Sequence, residues 1–184
     1  ANLFCEWYAK KFIEKNKLTK FKIDIKKQIR FLLTLLQSKE KVLVHRDFHA
    51  SNLMKYKNKI GVIDSQDALI GNRAYDLASL IDDVRFRTDE IFKNKIYRYY
   101  LKLNKKRVNK ATLLSDFEIL SILRNMKIIG IFTRLAMRDK KKQYLKLIPY
   151  AWKLIELRIS NNKKFSELKS LLELNFSKKI RNQK

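Results

Sequence analysis

VLVHRDFHASNLMKYKNKIGVID, residues 42–64, is the stretch that decides the fold of this chain. It contains three short runs of β-prone residues, at 42–44, 53–56 and 60–63. Residues 57–59, between the second and third runs, suit the turn of a hairpin. The stretch therefore predicts a small β region in which the second and third runs pair.

Polar residues lie where these runs end. The sequence HRDFHASN, residues 45–52, connects the first two runs, and Asp64 follows the third. A loop after a strand and the end of a hairpin strand can meet at one edge, held rigidly and open to solvent. We therefore expect Asp47, Asn52 and Asp64 to lie close together.

The remainder of the chain predicts helices, because it contains one proline and three glycines and its apolar residues recur at helical spacing. The predicted helices cover about residues 3–12, 25–36, 75–84, 91–103, 115–138 and 149–159. Ser115 and Glu118 have the spacing of a capping box, and Pro149 suits a first helical turn. Residues 178–184 are polar and predict a frayed tail.

Composition limits the class of protein. A chain of 184 residues with 46% hydrophobic residues fits one globular domain. The net charge of +25 would attract nucleic acid. Lysine greatly outnumbers arginine, however, and is spread along the chain, so we interpret the charge as a solvated basic surface and expect no specific nucleic-acid partner.

Cysteine use and hydropathy indicate the compartment. Cys5 is the only cysteine, so no intrachain disulfide can form, and we expect a reducing cytoplasm. The longest apolar runs are far shorter than a membrane span, so we expect a protein with no membrane partner.

The side chains of the central stretch suit phosphoryl transfer. That reaction needs a carboxylate to orient the attacking hydroxyl and oxygen ligands to hold Mg²⁺ against the phosphates. Asp47, five residues before Asn52, has the position of the kinase catalytic aspartate. Asn52 and Asp64 would then be the magnesium ligands.

The pattern H-x-D-x-x-x-x-N, followed twelve residues later by aspartate, resembles the aminoglycoside phosphotransferases and related small-molecule kinases. The longer strings VHRDFHASNL and GVIDSQDALIGNRAYDLASLIDD are similar to the anomeric kinases of N-acetylmuramate and N-acetylglucosamine in cell-wall recycling. Flanking similarity lies in LFCEWY, residues 3–8, and RNMKIIGIFTRLAMRD, residues 124–139. The resemblance implies ATP and Mg²⁺ as cofactors and transfer of the γ-phosphate to the anomeric hydroxyl of the sugar.

The resemblance also implies roles for single residues. Asp47 would be the catalytic base, with Asn52 and Asp64 on magnesium. His45 would orient the loop, and Asp76, in YDLASL, would support its backbone. Asp67 would add charge near a second metal and Arg46 would lie near phosphates, whereas His49 is open between a surface contact and loop support.

Two features depart from the family pattern. The family usually has a large apolar residue after the metal-binding aspartate, and this chain has Ser65. Nothing in the chain resembles an amino-terminal lobe, because there is no glycine-rich phosphate loop and no strand lysine paired to a helix glutamate. We therefore expect a mainly α carboxy-terminal lobe of a protein-kinase-like fold over residues 1–177, with a basic tail at 178–184. Such a fragment would bind ATP poorly by itself.

A basic helix indicates the substrate. Lys127, Arg134 and Arg138 lie close to one helical face, with Arg124 one turn earlier. Arginine suits a carboxylate such as the lactyl group of N-acetylmuramate, or the phosphates of ATP. A kinase of another small hydroxyl compound, such as an aminoglycoside or amino alcohol, and a catalytically silent fragment stay open as alternatives.

Overall fold

The computed structural model describes residues 2–160 and 162–183. It divides into two compact units, one formed by residues 36–121 and the other by residues 1–35 together with 122–184. The boundary at residue 121 falls inside a long helix, α5, Lys110–Met137. The chain is mostly helical, as the sequence predicts, and it has two small antiparallel sheets where one β region was expected.

The strands of unit 36–121 form two separate pairs. Strand β1, Lys41–Val44, pairs with β4, Leu69–Asn72, and β2, Leu53–Tyr56, pairs with β3, Lys59–Val62. The three predicted runs are confirmed, but β3 begins at Lys59, so the turn is two residues long and not three. The sequence did not predict β4, since Gly71 and Asn72 are poor strand formers and the strand exists only through pairing with β1.

The register of these pairs determines which residues meet. Val44 lies opposite Leu69, so residues 45–68 leave the first sheet and return to it at the same position. Leu53 lies opposite Val62, so Asn52 and Ile63 are at the open end of the hairpin. The backbone N–H of Ile63 donates to the carbonyl of Asn52 at 3.1 Å and extends the pairing by one more bond.

Two helices follow β4 in this unit. Helix α3, Ala74–Ile81, ends three residues earlier than predicted, and helix α4, Glu90–Leu103, begins where the Asp89 carboxylate accepts the N–H of Phe92. The buried core of the unit joins one face of α3 to the first part of α5. Its buried members are Ala74, Leu77, Ala78, Ile81, Leu113, Phe117 and Leu120.

The start of α5 corrects the sequence prediction. The helix begins at Lys110, and Ser115 lies within it, so the predicted capping box is wrong. Asn109 is the cap instead, because its side-chain oxygen accepts the N–H of Thr112 at 3.0 Å. Burial of Leu113 against α3 favours the earlier start.

The second unit opens with a π-helical segment, Phe4–Ala9, and a short helix α1, Lys10–Phe12, followed by α2, Lys15–Thr34. It also contains α6, Ile148–Ile159, α7, Ser166–Asn175, and α8, Lys178–Arg181. Pro149 lies in the first turn of α6, as predicted. The core is aromatic, with rings in contact from distant parts of the chain: Phe4, Tyr8, Phe21, Trp152 and Phe176.

The carboxy-terminal end is ordered where the sequence predicted fraying. Ser177 caps α8 by accepting the N–H of Ile180. The buried Arg181 donates to the Phe176 carbonyl and binds the Glu156 carboxylate at 2.8 Å, and these bonds hold the last helix in place. Lys184 lies outside the described residues.

Candidate active site

Asp47 and Asn52 are joined directly. The side-chain Nδ2 of Asn52 donates to the backbone carbonyl of Asp47 at 3.0 Å, and the N–H of His49 donates to the same carbonyl at 3.0 Å. The Asn52 N–H in turn donates to the carbonyl of His49, within the 3₁₀ turn Ala50–Asn52. Because Nδ2 is engaged, the amide oxygen of Asn52 is the atom that this residue can offer to a ligand.

Asp64 lies one residue beyond the last backbone bond of the hairpin. It follows Ile63, whose N–H binds the Asn52 carbonyl. The side chain is exposed, and one carboxylate oxygen accepts a hydrogen bond from Gln66 at 2.9 Å. The backbone of Asp64 has φ 71°, in the left-handed region that non-glycine residues seldom adopt.

Helix α3 holds the beginning of the loop. The carboxylate of Asp76 accepts the backbone N–H of His45 at 2.7 Å and that of Arg46 at 3.0 Å. Arg46 also has positive φ, at 74°. One carboxylate therefore binds both N–H groups at the point where the chain leaves β1 and turns.

His45 connects the loop to the segment that carries Asp64. Its Nε2 lies 3.0 Å from the carbonyl of Ile63, and since a carbonyl only accepts, Nε2 carries the proton. The Nδ1 atom is buried without a hydrogen-bond partner among the described residues. His49 is 8% exposed and so lies inside the loop and not on the surface.

Arg46 and Asp67 are joined by a hydrogen bond. The guanidinium of Arg46 donates to the backbone carbonyl of Asp67 at 3.2 Å. The side chain of Asp67 is exposed. The contact between the two residues uses the Asp67 backbone, so its carboxylate is not what holds Arg46.

Three of the four basic residues of the predicted substrate helix, Arg124, Lys127 and Arg134, lie on α5, and Arg138 is the first residue after it; all four belong to the second unit. Their environments differ. Arg124 is only 4% exposed, Lys127 and Arg134 are half-buried, and Arg138 is exposed. Arg138 donates two hydrogen bonds to Asp139, at 2.7 and 3.2 Å, and the bonded guanidinium lowers the pKa of that carboxyl.

Sequence reasoning missed one residue that contacts the loop. Asp83 is 1% exposed, and its carboxylate accepts the N–H of Ala50 at 3.3 Å. No local signal marked it, because Asp83 lies two residues beyond the end of α3 and meets Ala50 only through the fold.

The donor set fits a hard cation. Mg²⁺ binds through oxygen and retains several waters, so one or two carboxylates and an amide oxygen are sufficient protein ligands. Asp64 is exposed and Asn52 has its amide oxygen to offer, which meets that requirement. Within residues 2–160 and 162–183, no cluster of three or more His, Cys, Asp and Glu side chains forms a metal site of the all-protein kind.

Comparison with known proteins identifies relatives. A model of the phosphotransferase enzyme family matches residues 6–124. The chain is 35% identical over 153 residues to the N-acetylmuramate/N-acetylglucosamine kinase of Neisseria meningitidis serogroup B, an alignment that covers 80% of this chain and 46% of that protein.

Kinases of the same name in two other bacteria also match. The Pseudomonas aeruginosa protein is 30% identical over 92% of this chain, and the Pseudomonas putida protein is 27% identical over 94% of it. Each alignment covers 52% of the relative. The chain thus spans about half the length of the curated relatives it matches.

Proposed function

Because the chain belongs to the phosphotransferase enzyme family, we propose that it carries the catalytic residues of an amino-sugar kinase. The reaction is transfer of the γ-phosphate of ATP to N-acetylmuramate or N-acetylglucosamine, at the anomeric hydroxyl. The relatives are named as N-acetylmuramate/N-acetylglucosamine kinases, which supports the choice of sugar. The observation that carries the proposal is the bond from Asn52 to Asp47, at the open end of a hairpin whose other strand leads to Asp64.

Asp47 is the residue that receives the proton of the sugar hydroxyl. Its backbone carbonyl is bound by two donors, from His49 and Asn52, which fixes the position of the residue. The side chain is partly exposed and so open to a substrate. A held carboxylate at hydrogen-bond distance from the attacking hydroxyl is what general-base catalysis requires.

Asn52 and Asp64 are the residues that hold Mg²⁺. The cation, when bound, neutralises charge that develops on the transferred phosphoryl group. The hydrogen bonds of Asp76 and His45 hold the loop and the segment that leads to Asp64. We assign Arg46 to a phosphate and Asp67 to a second cation.

Other parts of the nucleotide site come from residues beyond this chain. Its glycines, at 61, 71 and 130, are too far apart to form a phosphate loop. The relatives are about twice as long as the matched region. We infer that the residues of this chain form the carboxy-terminal lobe of a kinase-like protein and act together with an amino-terminal lobe.

The basic residues in and just after the second half of α5 are assigned to anions. Arg124, Lys127, Arg134 and Arg138 would contact the sugar carboxylate or the phosphates. Arg138 is already bonded to Asp139, so it would have to exchange that partner for a ligand.

A reducing cytoplasm agrees with a single buried cysteine. No helix among the described residues combines the length and the apolar character needed to cross a bilayer.

The test is magnesium-dependent phosphorylation by the complete protein that contains this chain. The panel of acceptors includes N-acetylmuramate, N-acetylglucosamine, an aminoglycoside and an amino alcohol, each with and without EDTA. We expect both amino sugars to be phosphorylated and EDTA to abolish the activity. Preference for the aminoglycoside or amino alcohol would replace the sugar assignment, and inactivity on every acceptor would favour a silent fragment.

The matched variants are Asp47→Asn and Asp24→Asn. We expect Asp47→Asn to lower kcat by about 100- to 10,000-fold, the usual size of a general-base contribution. Asp24 lies on α2 and has no part in the proposed site, so its replacement should leave kcat unchanged. Full activity in Asp47→Asn would remove that residue from catalysis.

A further inference from the structure

Asp83 is a buried carboxylate outside the set of residues assigned above. It stands two residues after the end of α3 and is 1% exposed. One carboxylate oxygen accepts the N–H of Ala50 at 3.3 Å, and the other accepts the N–H of Arg85 at 3.0 Å. The Arg85 guanidinium is 3.8 Å away.

Such a group is costly to bury. A carboxylate removed from water must recover its lost hydration through hydrogen bonds and opposite charge. Asp83 does so with two backbone N–H groups and one guanidinium. An apolar residue at this position would avoid the free-energy cost of desolvating a charge. The groups that the carboxylate binds therefore explain its presence.

Asp76 and Asp83 bind the same loop at two points. Asp76 binds the N–H groups of His45 and Arg46, where the loop begins, and Asp83 binds the N–H of Ala50, five residues further along. Two carboxylates from one helix and the turn after it thus hold both sides of Asp47.

Ala50 and Asn52 belong to the same short turn, so the position of one determines the position of the other. Ala50 is the first residue of the 3₁₀ turn Ala50–Asn52. The Asn52 side chain at the end of that turn donates to the Asp47 carbonyl. A shift at Ala50 therefore displaces Asn52 relative to Asp47.

The neighbouring Asp82 provides a contrast. It is 0% exposed, and its carboxylate binds the Lys93 ammonium at 3.1 Å and the Ser121 hydroxyl at 2.6 Å. Lys93 also donates to the Ile81 carbonyl at 2.6 Å. These bonds join α3 to α4 and α5, which is a role in folding.

We propose that Asp83 is a positioning residue for the phosphoryl transfer, which holds the Ala50–Asn52 turn so that Asn52 keeps its place beside Asp47. The proposal rests on the proposed function. Asp83 acts through Asn52, so loss of its carboxylate changes kcat and the magnesium requirement more than it changes binding of the sugar.

The experiment compares Asp83→Asn, Asp83→Ala and Asp82→Asn in the complete protein. Backbone hydrogen exchange at Ala50 measures the contact without reference to activity. We expect exchange about tenfold faster in Asp83→Ala, less so in Asp83→Asn, which keeps one acceptor oxygen, and unchanged in Asp82→Asn. Asp82→Asn should instead lower the melting temperature.

Kinetics then test the consequence. We expect Asp83→Asn to lower kcat by about tenfold or more, since displacement of about 1 Å can cost a hundredfold in rate. The sugar KM should stay close to that of the parent, and the half-saturating Mg²⁺ concentration should rise. Asp83→Asn, the milder change, keeps this test open if Asp83→Ala does not fold.

Each failure has a separate meaning. Unchanged exchange at Ala50 in Asp83→Asn and Asp83→Ala overturns the contact itself. Faster exchange with an unchanged kcat and magnesium requirement overturns the positioning role. A parent protein that phosphorylates neither sugar overturns the proposed function, and exchange at Ala50 still reports on the contact.

Discussion

Two residues of the candidate site have strained backbones. Arg46 and Asp64 have φ of 74° and 71°, and a non-glycine residue in that region carries a cost of about 1–2 kcal/mol. At Arg46 the cost is offset locally, because its N–H donates to the Asp76 carboxylate at 3.0 Å. The strained geometry of the loop thus depends on one side chain of α3.

We predict that Asp76→Ala lowers the free energy of unfolding by about 1–3 kcal/mol, because the part-buried N–H groups of His45 and Arg46 lose their acceptor. Urea denaturation followed by circular dichroism measures the change. Asp67→Ala is the control, since Asp67 is exposed and binds Arg46 through its backbone, and it should change stability by less than about 0.5 kcal/mol. Equal effects of the two substitutions would contradict the role given to Asp76.

At the scale of elements, the β2–β3 hairpin has a turn of two residues, Lys57 and Asn58. Tyr56 pairs with Lys59, and Lys57 has φ 51°. Asn58 is outside the positive-φ residues, so only the first turn position has the left-handed conformation. Glycine is the residue usually found at that position in such turns.

We predict that Lys57→Gly raises the free energy of unfolding by about 0.5–1 kcal/mol, because relief of the backbone strain exceeds the entropy that glycine loses on folding. Asn58→Gly is the matched control, and there the entropy loss should leave stability unchanged or lower. Thermal unfolding of the two variants beside the parent gives the answer, and a gain in Asn58→Gly alone would refute the assigned turn.

At the scale of the whole molecule, the second unit brings α5 against the first helical segment of the chain. A Cβ atom added at Gly130 would lie 2.4 Å from the carbonyl carbon of Leu3 and 2.5 Å from the nitrogen of Phe4. These are backbone atoms, so they cannot move aside as a flexible side chain would. The absence of a side chain at residue 130 is what allows α5 to pack this closely on the first helical segment.

We predict that Gly130→Ala destabilises the protein by about 1–3 kcal/mol or more, as overpacking of a core does. Gly61→Ala is the control, because the nearest atom to an added Cβ there is the Met54 carbonyl oxygen at 3.8 Å, an ordinary contact. Chemical denaturation of both variants decides between them. A Gly130→Ala protein as stable as the parent would show that the two segments can separate without cost.

Much of this architecture could be predicted from the sequence where a signal was local. The helical spacing of apolar residues predicted α4 and α6, and Pro149 marked where α6 begins. The β runs predicted β1, β2 and β3, so the hairpin that leads from Asn52 to Asp64 was expected.

Other features depend on contacts between distant residues and had no local signal. Strand β4 contains Gly71 and Asn72 and is a strand only because β1 lies beside it. Helix α5 begins at Lys110 and not near Ser115, because Asn109 caps it and Leu113 is buried against α3. Asp83 was overlooked because its function depends on Ala50, which is brought to it by the fold.

Because β2 pairs with β3, the number of residues between Asn52 and Asp64 sets the length of the hairpin. It does not change the open end of the hairpin, beside which both residues lie. Adding one residue to each strand as an opposed pair would move the turn outward and leave the open end as it is. Adding a single residue to one strand would reverse the facing of every side chain between the insertion and the open end, and would change the alignment of Asn52 with Asp64. Related proteins should therefore differ in the length of the β2–β3 hairpin by even numbers of residues.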